Sequence, residues 1–124
     1  MSLLLDSPVL LWWLAGEQLS DESSERIADE HELVVVSIAT VWELAIKRAI
    51  GKLDLDGSIV DQVEGNGFEP LDVSGEHAEH AGGLPDHHRD PFDRLLIAQA
   101  QIERLTIVTR DRAFTAYDVD VLVA

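Results

Sequence analysis

Four acidic residues stand where a carboxylate is out of keeping with its neighbours. Asp6 closes the apolar run Leu3-Leu4-Leu5, and Glu43 interrupts Ala39-Thr40-Val41-Trp42-Glu43-Leu44-Ala45-Ile46. Asp93 lies between Phe92 and Leu95-Leu96-Ile97-Ala98, and Asp111 follows Val108-Thr109-Arg110. With 24 acids in 124 residues, residue type alone selects nothing, so it is position at the ends of apolar elements that singles out these four. A carboxylate in apolar surroundings is costly unless it has a purpose or a donor. Four sharing one crevice would raise one another's pKa unless cations sat between them. Hard oxygen ligands, in a chain with no cysteine, favour Mg²⁺ with Mn²⁺ as a substitute. The chemistry expected of such a site is water activation at neutral pH, in-line orientation and stabilisation of a departing oxygen, with a phosphodiester as the natural substrate.

Each acid also has a purely structural use. Asp90 before Pro91 reads as a helix N-cap, and Asp93 as its N3 neighbour. Thr40 and Glu43 match a capping box, and Asp111 could serve a turn. His77 and His80 share a helical face and His87-His88 follow, but the intervening Gly82-Gly83-Leu84-Pro85 fixes no metal geometry, which favours solvated surface histidines. The alternative for His87 and His88 is a place along a substrate path beside Asp90. Trp12, Trp13 and Trp42 are expected in the core, with one of the first pair as the alternative anchor for a partner helix.

The elements that must position these residues follow from periodicity and punctuation. Residues 3–5 read as a strand, and Ser7-Pro8 as an N-cap and the first helical position of a helix ending at Gly16. A charged helix is expected over 20–31 with Ile27 and Ala28 inward, a strand over 33–36, and a helix over 38–50, or starting at Thr40. Residues 58–64 look helical, 68–73 form a short strand interrupted by Pro70, and 74–81 another helix. The strongest helical pattern runs over 91–103, followed by strands over 105–108 and 119–123. Strands alternating with helices imply a mostly parallel sheet covered on both faces. In such a sheet ligands bind at the carboxyl ends of the strands where strand order reverses, which brings Asp6 and Asp111 to one crevice.

The length fits one domain spanning 1–124, with no linker or repeat dividing it. The absence of cysteine points to a reducing compartment, and Asp6 within the leucine-rich start, with no cation before Arg26, argues against a signal peptide, so a cytoplasmic location is expected. A net charge of −15 repels nucleic acid as a whole. Of the nine cations, however, Lys47, Arg48, Lys52, Arg89, Arg94, Arg110 and Arg112 flank the segments bearing Glu43, Asp93 and Asp111, consistent with a local basic rim.

Together, Leu3-Leu4-Leu5-Asp6, Trp42-Glu43-Leu44-Ala45, Asp90-Pro91-Phe92-Asp93-Arg94-Leu95-Leu96-Ile97-Ala98-Gln99-Ala100 and Val108-Thr109-Arg110-Asp111 resemble the PIN-domain ribonucleases, specifically VapC-like toxins of toxin–antitoxin pairs. The likeness spans nearly the whole chain, and the stretch from Asp90 to Ala100 is its most specific part. It implies an α/β three-layer fold with a five-stranded parallel sheet of order 3-2-1-4-5. It further implies Mg²⁺-dependent endoribonuclease activity, an antitoxin whose tail covers the active site, and homodimerisation. Carried over by position, Asp6, Glu43, Asp93 and Asp111 would be the metal-binding acids. Thr109 matches a polar position near the site, and Arg110 one that could touch RNA or antitoxin. Ser7, Asp90, Arg94 and Lys47 complete the residues expected to support the acids or contact RNA. Many relatives read Asp-Thr-His where this chain has Asp6-Ser7-Pro8, a departure that keeps a hydroxyl and leaves the acids intact.

Three other classes stay open at this level. A phosphoacceptor signalling module would use Asp6 at its strand end but wants a pair of acids there. A haloacid-dehalogenase-like phosphatase needs an acid where Pro8 stands. A catalytically silent metal- or RNA-binding domain is the remaining alternative.

Overall fold

The computed structural model describes residues 2–124. Five strands, β1 (Ser2–Leu5), β2 (Leu33–Ser37), β3 (Glu69–Leu71), β4 (Thr106–Thr109) and β5 (Asp120–Val123), form one sheet of order β3-β2-β1-β4-β5. Every pairing is parallel, with Leu3 opposite Val34 and Thr106, and Leu4 opposite Val35 and Ile107. The helices are α1 (Ser7–Leu14), α2 (Asp21–Ala28), α3 (Ile38–Ala49), α4 (Ile59–Gly65), α5 (Gly75–Gly82) and α6 (Pro91–Glu103). A 3₁₀ turn, Arg112–Ala116, joins β4 to β5.

The three layers follow from the alternation of side chains along each strand. Leu3, Leu5, Val34, Val36 and Val108 pack with Val9, Leu10 and Leu44 on one face, whereas Leu4, Val35 and Ile107 pack with Leu96, Ile97, Phe114 and Tyr117 on the other. Strands buried on both faces explain why 33–36 and 105–108 read as continuous β-branched runs. Pro70 is tolerated because β3 is an edge strand paired only with β2. The strand is three residues long, with Pro70 at its centre, instead of the expected 68–73.

The second helix differs from expectation at its end, whereas the third starts at Ile38 as expected and not at the alternative Thr40. The second helix stops at Ala28, which is exposed, and Ser23 takes the inward place beside Ile27. The hydroxyl of Ser23 donates to the Val123 carbonyl, so a polar residue satisfies a backbone acceptor at the sheet edge. The third helix begins at Ile38, with Ser37 as N-cap accepting from the Ala39 N–H. Thr40 is therefore already helical and buried, and no Thr40–Glu43 capping box forms.

Candidate active site

Asp6 follows β1 and itself caps α1, the place expected of Ser7. Its Oδ1 accepts the Val9 N–H at 3.0 Å, and its Oδ2 accepts the Thr109 hydroxyl at 2.5 Å from the end of neighbouring β4. Thr109 Oγ1 in turn accepts the Asp111 N–H at 3.0 Å, so one hydroxyl ties the ends of both central strands together. Released from capping, Ser7 turns its hydroxyl to Glu43 Oε1 at 2.8 Å.

Glu43 lies in the second turn of α3, buried, with Lys47 Nζ 3.1 Å from Oε2 one helical turn on. Asp90 caps α6 through Oδ1, which accepts the Phe92 and Asp93 N–H groups at 2.8 and 3.2 Å. The Asp93 side chain is thereby spared capping duty. Asp111 Oδ1 accepts the Ala113 N–H at 2.9 Å and starts the 3₁₀ turn. His88 Nε2 lies 2.9 Å from Asp93 Oδ2 and 3.5 Å from Asp111 Oδ2.

Electrostatics register the same convergence. Burial holds Asp93 up at about 7, reinforced by the negative charges of Asp90, Glu43 and Asp6 and opposed by His88. Burial likewise holds Asp6 up at about 6, with Asp111 and Glu43 adding to it and the hydrogen bonds from Thr109 and Val9 working against it. Asp93 and Asp111 thus meet at His88, and Asp6 and Glu43 lie near enough to act on Asp93 through their charges, at the carboxyl edge of the central strands. Their chemistry fits a hard divalent cation, because the donors are oxygens and a double positive charge would relieve the repulsion that two buried acids carry.

Several other expected residues are placed elsewhere. The Arg94 guanidinium donates to the carbonyls of Ala81, Leu84, Pro85 and His88, and so holds the loop before α6. Arg110 stacks over Trp12, 4.2 Å from the ring centre, and donates to the carbonyls of Gln18 and Ala124. Arg48 donates to the carbonyls of Leu55 and Gly57. These arginines pin the backbone, while Lys47 alone among the named cations meets a site acid.

His77 is buried instead of solvated: Nδ1 accepts the Ser74 N–H and Nε2 lies 3.0 Å from Glu103, whereas His80 meets Gln101. Trp13 packs against Phe68 and Trp12 is half-buried, but Trp42 is 62% exposed and set edge-on against Phe92, so it is not a core residue. Sequence reasoning favoured a solvated His88, with a place along the substrate path as the alternative, whereas the structure sets it beside Asp93 and Asp111. Its spacing of five residues before Asp93 was the available signal, obscured by the loop's missing periodicity.

A parallel sheet between two helical layers, with buried acids near the carboxyl edge of its central strands, defines an α/β protein with an acidic candidate site. The chain belongs to the PIN domain family, which it matches over residues 3–120. It is VapC-like within that family. Ribonuclease VapC22 of Mycobacterium tuberculosis is 34% identical over 125 residues, covering 94% of this chain and 92% of the relative. Among solved structures, VapBC2 from Rickettsia felis bound to a promoter DNA fragment superposes with a TM-score of 0.70 at 15% identity, covering 98% of both chains. A toxin–antitoxin complex from Klebsiella pneumoniae gives 0.69 at 19% identity, covering 97% of this chain and 95% of that one. These structural likenesses establish the fold.

Proposed function

We propose that the protein is a metal-dependent endoribonuclease acting as the toxin of a toxin–antitoxin pair. What supports this reading is the placement of Asp93 and Asp111 beside His88, with Asp6 and Glu43 near enough to act on Asp93 through charge, in a chain of the PIN family 34% identical to a protein named a ribonuclease. These four acids would hold Mg²⁺, or Mn²⁺ in its place. When bound, the cation supplies Lewis acidity and offsets charge on the phosphodiester. The chain's own residues set the geometry: Thr109 orients Asp6, Ser7 and Lys47 orient Glu43, and the capping of α6 by Asp90 leaves the Asp93 carboxylate free. Exposed Arg89 and Arg112, next in sequence to His88 and Asp111, are the cations suited to the RNA backbone in a chain of net charge −15.

The partners that accompany this reading are an antitoxin and a second copy of the chain, in the cytoplasm. Among the described residues no helix is long and apolar enough to cross a membrane. Trp42, Ile46 and Ile50 form an exposed apolar stripe at helical spacing beside Glu43, a surface suited to a protein partner. The test is cleavage of an RNA pool by wild type, Asp6→Asn and Asp93→Asn with Mg²⁺. Cleavage by wild type alone, and growth arrest relieved by the neighbouring open reading frame, are expected; full activity in both variants would sink the reading.

A further inference from the structure

We propose that His88 is a positioning residue that orients the carboxylates of Asp93 and Asp111, a role resting on the metal-site reading above. Its loop is not free to wander. The Tyr117 hydroxyl accepts the N–H groups of His87 and His88 at 3.1 and 2.8 Å and donates to the Pro85 carbonyl at 2.7 Å, while Arg94 bridges four carbonyls of the same region. The imidazole meets the Phe114 ring edge-on, with centres 5.9 Å apart. Its Nδ1 accepts the Asp90 N–H at 3.3 Å, so the hydrogen of the neutral ring belongs on Nε2, the nitrogen beside the acids.

That nitrogen is buried and lacks a well-aligned hydrogen bond, although it lies 2.9 Å from Asp93 Oδ2 and 3.5 Å from Asp111 Oδ2. The distances are within reach, but the N–H is not aligned on either oxygen. Asp6 has Thr109 and Glu43 has Ser7, but among the described residues the side chain of Asp93 has only His88 as a donor within reach. A bare nitrogen toward the loop and a hydrogen toward the acids suit a donor that steadies carboxylates better than a ligand that replaces them. Such outer donors commonly change metal affinity by about 10–100-fold.

His88→Leu removes the donor, and His88→Gln restores an N–H near the Nε2 position. In the metal-free protein, the side-chain carboxyl carbons of Asp93 and Asp111 followed by NMR should shift and broaden in His88→Leu and stay near their wild-type positions in His88→Gln. Mn²⁺ affinity should fall about tenfold in His88→Leu, with RNA cleavage losing kcat at unchanged KM, and recover in His88→Gln. Unmoved carboxyl signals in His88→Leu, equal losses in both variants, or nitrogen coupling from His88 to bound Mn²⁺ would overturn the proposal. The carboxyl signals need neither metal nor RNA. A wild type that binds no Mn²⁺ and cuts no RNA would therefore end the nuclease reading while those signals still decide the role of His88.

Discussion

The hydroxyl of Thr109 donates to Asp6 Oδ2 at 2.5 Å, joining residues 103 positions apart at the ends of adjacent parallel strands. Because the same oxygen accepts the Asp111 N–H, its one hydrogen is directed at Asp6 and the hydroxyl sets the spacing of two site acids. Thr109→Val keeps the shape but leaves a buried carboxylate oxygen and a backbone N–H without a partner. The expected result is a loss of about 1–3 kcal/mol in stability, read by urea unfolding, and a fall in cleavage well beyond it. Thr109→Ser should retain most of both. Equal activity in the valine variant and wild type would remove the hydroxyl from the site.

Asp93→Asn and Asp6→Asn test the acids in opposite directions for function and stability. Both side chains are buried or nearly so, and burial holds both above the ordinary carboxylate range. Asparagine still caps a helix, so Asp6→Asn should preserve α1. Near neutral pH, each amide removes an ionised group from a crowd of like charges. Metal-free thermal midpoints should therefore match or exceed wild type while RNA cleavage disappears. A large loss of stability in Asp93→Asn would make that acid a structural member.

The pH dependence of stability follows from the same two groups. Asp6 rises from 3.8 to about 6 and Asp93 from 3.8 to about 7 on folding, so between those values the folded protein holds protons that the unfolded chain has released. Their contribution is full below the unfolded value and is lost as pH climbs through the folded ones, with a slope of up to about 1.4 kcal/mol per pH unit for each carboxyl. Metal-free stability relative to Asp93→Asn should decline from about pH 4 to about pH 7 in scanning calorimetry. Saturating Mg²⁺ should flatten or reverse the decline, since the cation binds the deprotonated acids. A metal-free difference that grows with pH over this window would contradict the assigned shifts.

How much of this was legible in the sequence depends on the kind of signal. The strand runs ending at Asp6 and preceding Asp111, and the helix opening at Asp90-Pro91, declare themselves because burial on both faces and proline-led capping leave local marks. The roles of Ser7, Arg94 and Arg110 do not. Which oxygen caps α1 is decided by Thr109 and Glu43, far along the chain, and an arginine that closes a loop on its own carbonyls looks in sequence like one offered to a phosphate. Trp42 misled for a similar reason. Its neighbours Thr40 and Leu44 are buried, and only the placement of α3 against α6 turns the indole outward onto Phe92.

The loop-closing role of Arg94 is open to a direct test. Four carbonyls spanning Ala81 to His88 converge on one guanidinium, two on Nη1 and two on Nη2, a fork that an ammonium cannot copy. Arg94→Met keeps the aliphatic stem and abandons those acceptors, and Arg94→Lys can serve only some of them. The methionine variant should lose about 1–3 kcal/mol, with lysine between it and wild type. Hydrogen exchange should quicken at the amides of 83–90 and stay slow in β1 and β4, because the two sheet cores do not depend on the loop. Cleavage should fall along with loop protection as His88 loses its fixed place. If Arg94 instead served RNA directly, KM would rise in both variants while the loop amides kept their wild-type protection.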